Sequence, residues 1–341
     1  MQETSAIKIN HPLQSYNTFG ISAIAEYFTE IQTEKLLPDL VHDPIFRNNK
    51  ILILGSGSNI LFTKDFKGLV IRVAIGGMEV IDEDKKTVLI RAGSGMLWDE
   101  LVSYAVGNNW GGIENLSAIP GTVGAAPVQN IGAYGTEVKD VIEKVEGFDL
   151  YRSKFFSLGR KQCHFQYRNS IFKAEYRNKY LICQVLFRLN KPPHQLITHY
   201  GTLAEDLNRQ TEKNIASLRK LIIRIRETKL PDYRIIGNAG SFYKNPVISN
   251  TLVSELKSLY PGIPLFQGEG GQTKLSAAWL IERSGCKGIR IGNAGTHPKH
   301  ALVIINLGNA TGKEILDLSM HIQDTVKKRF GILLEPEVNI L

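Results

Sequence analysis

Short strand-like runs of apolar residues, set off by polar and glycine positions, recur through the first half of the chain. The segments "KILILG" (50–55), "GLVIRVA" (68–74), "EKVEGFDL" (143–150) and "YLICQVLFRL" (180–189) each read as a β-strand, rich in β-branched and aromatic residues and bounded by turn-forming or polar ones. Residues 77–93, "GMEVIDEDKKTVLIRAG", read as a hairpin in which "DEDKK" turns the chain between two alternating arms. Helical spacing is rarer here. It predicts a helix over 97–109, with Leu97, Leu101, Tyr104 and Ala105 on one stripe, and a strand passing into a helix over 21–40.

From 200 to 227 the spacing turns helical, "TEKN" offers a second helix start, and Leu230-Pro231-Asp232 closes the run. The Pro192-Pro193 pair just before it excludes continued helix. A domain boundary is expected near 200–230. Beyond it come a strand at 301–308 and an amphipathic run at 311–331, with Ile315, Leu318, His321, Ile322 and Val326 near one face, before "ILLEPEVNIL" returns to strand. The pattern is that of an α+β chain without internal repeats.

Composition narrows the partners. A length of 341 residues leaves room for two or three domains with cores of their own. The formal charge of +8 suits anionic partners, but the basic residues are dispersed and no zinc-finger, RNA-binding or basic-tail pattern is present. Phosphate-bearing small molecules are therefore favoured over nucleic acid. Cys163, Cys183 and Cys286 match no metal-ligand spacing and read as buried small hydrophobes in a reducing compartment; no metal is expected. Neither a secretory pattern nor an 18-residue apolar run appears, so a soluble cytoplasmic protein without membrane insertion is expected.

Two glycine-rich segments stand out. "LGSGSNILF" (54–62) follows an apolar strand and fits both an ordinary turn and a loop whose backbone N–H groups approach a phosphate; it is neither the dinucleotide fingerprint nor a phosphate-loop ATPase motif. "GGIENLSAIPGTVGAAPVQNIGAYGTEVKD" (111–140) has too many small residues to build an apolar core alone and too few charges for a solvated loop. Close wrapping around a ligand and tight packing through "GTVGAAP" are both open.

Three further stretches have chemical potential. In "CHFQYRNSIFK" (163–173) Arg168 offers a guanidinium fork to a carboxylate or phosphate, and Tyr167 points away from it if the segment is extended. His164 is assigned to structure. "GNAGSFYKNP" (237–246) holds Ser241, Tyr243, Lys244 and Asn245 among small residues; it lacks the nucleophile elbow of a serine hydrolase, leaving Ser241 as a proton donor, a ligand contact or a turn residue. Glu335 and Glu337 stand two apart in the tail, where an extended chain lets both face one way.

Together with "YNTFG" (16–20), "AAWLIERSGCKG" (277–288) and "LEPEVNI", these blocks run in family order over nearly the whole chain, which resembles the UDP-N-acetylenolpyruvoylglucosamine reductase family. "LITHYGTL" is similar to the tyrosine-bearing loop of its longer subclass. The resemblance implies an α+β, vanillyl-alcohol-oxidase-like FAD-binding fold plus a C-terminal α/β substrate-binding domain. Residues 1–75 and 76–229 would form two FAD-binding subdomains, 230–330 the substrate-binding domain, and 331–341 a strand carrying a catalytic glutamate. It further implies non-covalent FAD held by Gly55, Ser56, Gly57, Ser58, Asn59, Ile60, Ser117, Pro120, Gly121, Thr122, Gly124 and Ala125. Arg168, Ser241 (as proton donor) and Glu335 would be catalytic, with Tyr134, Tyr167, Tyr200, Lys229 and Asn245 binding substrate. NADPH would be the co-substrate, the enolpyruvyl ether of UDP-N-acetylglucosamine the substrate, and the enzyme a monomer. A related FAD oxidase of hydroxy acids or alcohols would have no need of "GNAGSFYKNP" and "LEPEVN", and a module without turnover no need of Arg168, Ser241 and Glu335.

Overall fold

A computed structural model describes residues 6–268 and 271–341. Two compact units emerge, the first built from residues up to 11, 25–56 and 66–226, the second from 12–24, 57–65 and 227–341. These units are interleaved in sequence, whereas the four segments expected above run consecutively.

In the first unit, strands Ile24–Ile31, Phe66–Val73 and Ile51–Leu54 pair in parallel, and Lys8–Pro12 extends their sheet to four. A five-stranded antiparallel sheet follows, ordered Lys154–Gly159, Ile142–Asp149, Tyr180–Asn190, Thr87–Gly93, Met78–Glu83. Its last two strands are the hairpin read from 77–93. One apolar cluster joins the two sheets through residues such as Ile31, Leu69, Ile71, Phe148 and Leu181. Another packs helix Trp98–Gly107 onto the five-stranded sheet, with Trp98 edge-on to Phe187 at 5.8 Å.

The stripe expected on that helix is displaced. Leu97 caps its start in an extended conformation and is 48% exposed, and Tyr104 is 42% exposed, while Trp98, Leu101, Val102 and Ala105 are buried. The i, i+3, i+4, i+7 set begins one residue later than the sequence pattern suggests, because the helix itself does. The run from 200 gives two helices, Leu203–Asn208 and Ile215–Lys229, whose apolar faces meet through Leu203, Leu207, Leu218, Leu221 and Ile222.

In the second unit, strands Asn238–Ser241, His300–Asn306, Ala294–His297 and Arg290–Ile291 form an antiparallel sheet. The long helix Gly312–Phe330 opens with a Thr311/Glu314 capping box and closes on Gly331 at φ 69°. It buries Ile315, Leu318, Ile322 and Val326, but His321 is exposed, since Ser319 and Phe330 complete the buried stripe instead. The final strand, Asn339–Ile340, pairs in parallel with Ile60–Leu61. All three cysteines are buried and free, and burial pushes the Cys163 and Cys183 thiols up to about 12, as inert core residues. Among the described residues no helix is long and apolar enough to cross a membrane.

Candidate active site

In the first unit the loop 117–125 is pinned against residues 94–98. The backbone N–H groups of Val123 and Gly124 donate to Met96 and Ser94 carbonyls at 2.9 Å, and Trp98 N–H to Gly121 O at 3.0 Å. Side chains are excluded by this closeness. A Cβ at Gly124 would stand 2.5 Å from Ser94 Cβ, and one at Gly55 would stand 2.7 Å from Thr122 Oγ1. The hydroxyls of Ser56 and Ser94 are buried in this same unit without a hydrogen-bond partner among the described residues. Such a group costs about 1–3 kcal/mol when left unmet. A cradle of bare backbone with two unmet hydroxyls fits a pyrophosphate-bearing cofactor, which would supply the acceptors.

Not every expected cofactor residue behaves alike. Ser117 Oγ donates to Glu114 O at 2.5 Å. Gly57, Ser58, Asn59 and Ile60 fall in the second unit, where Gly57 (φ 67°) lies against Tyr16, its carbonyl accepting from Thr18 N–H at 3.2 Å. Asn59 Nδ2 donates to Glu337 O at 3.2 Å, and Ile60 belongs to the strand paired with the tail.

Arg168 sits in a tight turn, not in extended chain. Gln166 and Asn169 exchange backbone hydrogen bonds of 3.0 and 3.1 Å, and Arg168 takes φ 55°, a left-handed conformation costing a non-glycine residue roughly 1–2 kcal/mol. The turn folds the Arg168 guanidinium over the Tyr167 ring, 5.5 Å from its centroid, whereas an extended segment would have separated them. Arg168 Nη2 donates to Gly132 O at 2.7 Å, two residues before Tyr134. Tyr134 and Tyr200 meet edge to face at 5.8 Å. Asn115 Nδ2 donates to both Tyr134 O (2.8 Å) and Ile197 O (2.9 Å), tying the tyrosine-bearing loops together. Arg168, Tyr167, Tyr134 and Tyr200 thus form one connected group in the first unit.

Behind Tyr134 lies a charge network that the sequence did not reveal. Arg226 hydrogen-bonds the Tyr134 side chain, and burial lowers the Arg226 pKa while raising that of Tyr134. Arg219 donates both Nη atoms to the Asp99 carboxylate at 2.7 and 2.8 Å, and Asp99 also accepts from Ala118 N–H at 2.6 Å. Burial raises the Asp99 pKa, but the Arg219 and Ala118 hydrogen bonds and the Arg219 and Arg226 charges outweigh it, leaving it below the usual carboxylate range. No spacing rule links partners 120 residues apart.

In the second unit the quoted serine stretch is a sheet edge. Ser241 pairs with Val303, and Phe242 N–H donates to Leu302 O at 2.8 Å. The tail runs antiparallel alongside. Tyr243 pairs with Pro336, Lys244 N–H donates to Glu335 O at 3.0 Å and Glu337 N–H to Phe242 O at 2.8 Å. The Lys244 ammonium contacts the Glu335 carboxylate. Tyr243 is an anchor: it is buried, its hydroxyl donates to Ser319 O at 2.6 Å, and burial raises its pKa strongly. Asn245 Oδ1 accepts from Ala277 N–H at 2.9 Å, fixing the start of helix Ala277–Arg283. Lys229 lies close enough to His300 that, after burial itself, its charge helps hold His300 below the usual imidazole range.

Residues 231–341 match the family described as UDP-N-acetylenolpyruvoylglucosamine reductase, C-terminal domain, and residues 26–151 match an FAD binding domain. The reductases of that name from Amoebophilus asiaticus and Chromobacterium violaceum are 44% and 42% identical to the chain, over 97% and 96% of it and 98% and 97% of their own lengths. The chain belongs to the UDP-N-acetylenolpyruvoylglucosamine reductase family. The solved reductase of Thermus caldophilus is similar throughout, with a TM-score of 0.67 at 25% identity over 98% of both chains. Membership makes the chain an FAD-dependent oxidoreductase with the α+β, vanillyl-alcohol-oxidase-like fold expected from its sequence.

Proposed function

We propose that the chain reduces the enolpyruvyl ether of UDP-N-acetylglucosamine to UDP-N-acetylmuramate at the expense of NADPH, a step of bacterial peptidoglycan precursor synthesis. The near full-length relation to reductases of that substrate carries the reading. The glycine cradle and its two unmet serine hydroxyls support FAD as the resident cofactor. FAD held there would supply two-electron hydride chemistry between NADPH and the terminal vinyl carbon of the ether.

The chain's own residues then handle charge and a proton. Adding hydride to the methylene carbon builds negative charge on the carbon beside the carboxylate. The Arg168 fork suits that carboxylate, and its strained backbone and its bond to Gly132 O hold it in place. Ser241 donates the proton that quenches the charge, so one C–H bond comes from hydride and one from the hydroxyl. Glu335 acts on the same carboxyl-bearing end, while Lys229, Asn245, Tyr134, Tyr167 and Tyr200 bind the nucleotide sugar. In this division of labour 1–75 and 76–229 hold FAD, the latter also offering Arg168, Tyr134, Tyr167, Tyr200 and Lys229 to the substrate, while 230–330 form the substrate-binding domain and 331–341 supply the glutamate. The enzyme acts as a cytoplasmic monomer.

Purified protein tests this directly. Yellow protein should bleach anaerobically with NADPH and recolour with the UDP-N-acetylglucosamine enolpyruvyl ether but not with lactate or simple alcohols. Recolouring by the simple substrates instead would overturn the reading.

A further inference from the structure

Lys244 has no part in the roles above, yet the fold places it on a proposed catalytic residue. The two are 91 residues apart in sequence and opposed in an antiparallel pairing, which sets their side chains on one face. Both sides of the pairing are anchored. Phe242 and Tyr243 are buried beside Lys244, Leu334 is buried beside Glu335, and Gln323 Nε2 from the long helix donates to Leu334 O at 2.7 Å. The backbone of Glu335 is thereby fixed, but its side chain is 71% exposed and has several rotatable bonds. Lys244 is only 19% exposed, and its ammonium supplies the contact that restrains the carboxylate.

An ion pair with one partner so exposed contributes little to folding stability. Its consequence is geometric. We propose that Lys244 is a positioning residue that acts through Glu335, holding its carboxylate where the substrate's carboxyl-bearing end must meet it. The proposal rests on the catalytic reading of Glu335 and adds to it the group that aims the side chain. No covalent bond is made or broken by Lys244.

A double-mutant cycle on the FAD-loaded enzyme separates this role from a structural one. Lys244→Met should leave anaerobic reduction by NADPH and the thermal unfolding midpoint near those of the parent, and slow reoxidation by the enolpyruvyl ether about 10- to 100-fold, the scale of a misaimed catalytic group. Lys244→Arg, which retains a cationic donor, should recover much of that loss. In a Glu335→Gln background Lys244→Met should change reoxidation by less than about twofold, because its target is already gone. Equal slowing of both half-reactions, or the same fold-loss with and without Glu335, would overturn the proposal. If Glu335→Gln slows reoxidation and Lys244→Met does not, the positioning role alone fails. If Glu335→Gln leaves reoxidation at the parent rate, the catalytic reading fails and takes this proposal with it.

Discussion

Asp99→Asn removes one charge from the network behind Tyr134 while keeping the shape of the side chain. In the parent, Asp99 faces the Arg219 fork, the Ala118 N–H and the charge of Arg226. Its side chain is 38% exposed and that of Arg219 13%, so the pair lies between a surface bridge, worth about 0–1 kcal/mol, and a buried one, whose rupture costs about 3–5 kcal/mol. A loss of about 2 kcal/mol follows. For a chain of 341 residues that lowers the calorimetric unfolding midpoint by about 3 °C. Most of the cost comes from the guanidinium left without its countercharge, so adding Arg219→Met should restore part of the loss instead of deepening it. An unchanged midpoint in Asp99→Asn, or strictly additive losses in the double variant, would refute this.

Gly57→Ala meets two obstacles, a backbone at φ 67° and the Tyr16 carbonyl 2.0 Å from the new Cβ, whereas Gly20→Ala meets only the first, having nothing within 4 Å. In urea titrations Gly20→Ala should cost about 1 kcal/mol and Gly57→Ala about 2 kcal/mol or more, and equal losses would show that the Tyr16 contact yields freely. His300 has its pKa lowered in the folded protein by burial, then by Lys229 and other cations, so the unfolded chain takes up its proton first as pH falls. Its contribution to stability is therefore present above the ordinary value near 6.5 and is lost on acidification below it. His300→Gln should flatten the part of the slope beginning there, while the Asp99 contribution, with a lowered carboxylate pKa, disappears only in more acidic solution.

Much of the strand framework was legible because short runs rich in apolar and β-branched residues between polar turn segments are a local signal, as in the 78–93 hairpin and the strand Tyr180–Asn190. Helix faces were less so. Leu97 misled because apolarity cannot show where a helix starts, and His321 because Ser319, small enough to be buried with its hydroxyl bonded to Leu316 O, takes its place. The turn at Arg168 had no glycine to announce its positive φ. The Asp99–Arg219 and Lys244–Glu335 contacts join residues 120 and 91 positions apart, set by helix packing and strand pairing that no motif encodes. Lys244 was visible in a quoted block but had no visible partner.

In the proposed reaction Ser241 supplies the proton that completes substrate reduction. Anaerobic stopped-flow absorbance of Ser241→Ala, loaded with FAD, follows the two half-reactions separately. The expected result is flavin reduction by NADPH at the parent rate with reoxidation by the enolpyruvyl ether slowed about 100-fold or more, the contribution of a positioned general acid. Reoxidation at the parent rate, or equal slowing of both half-reactions, would contradict it.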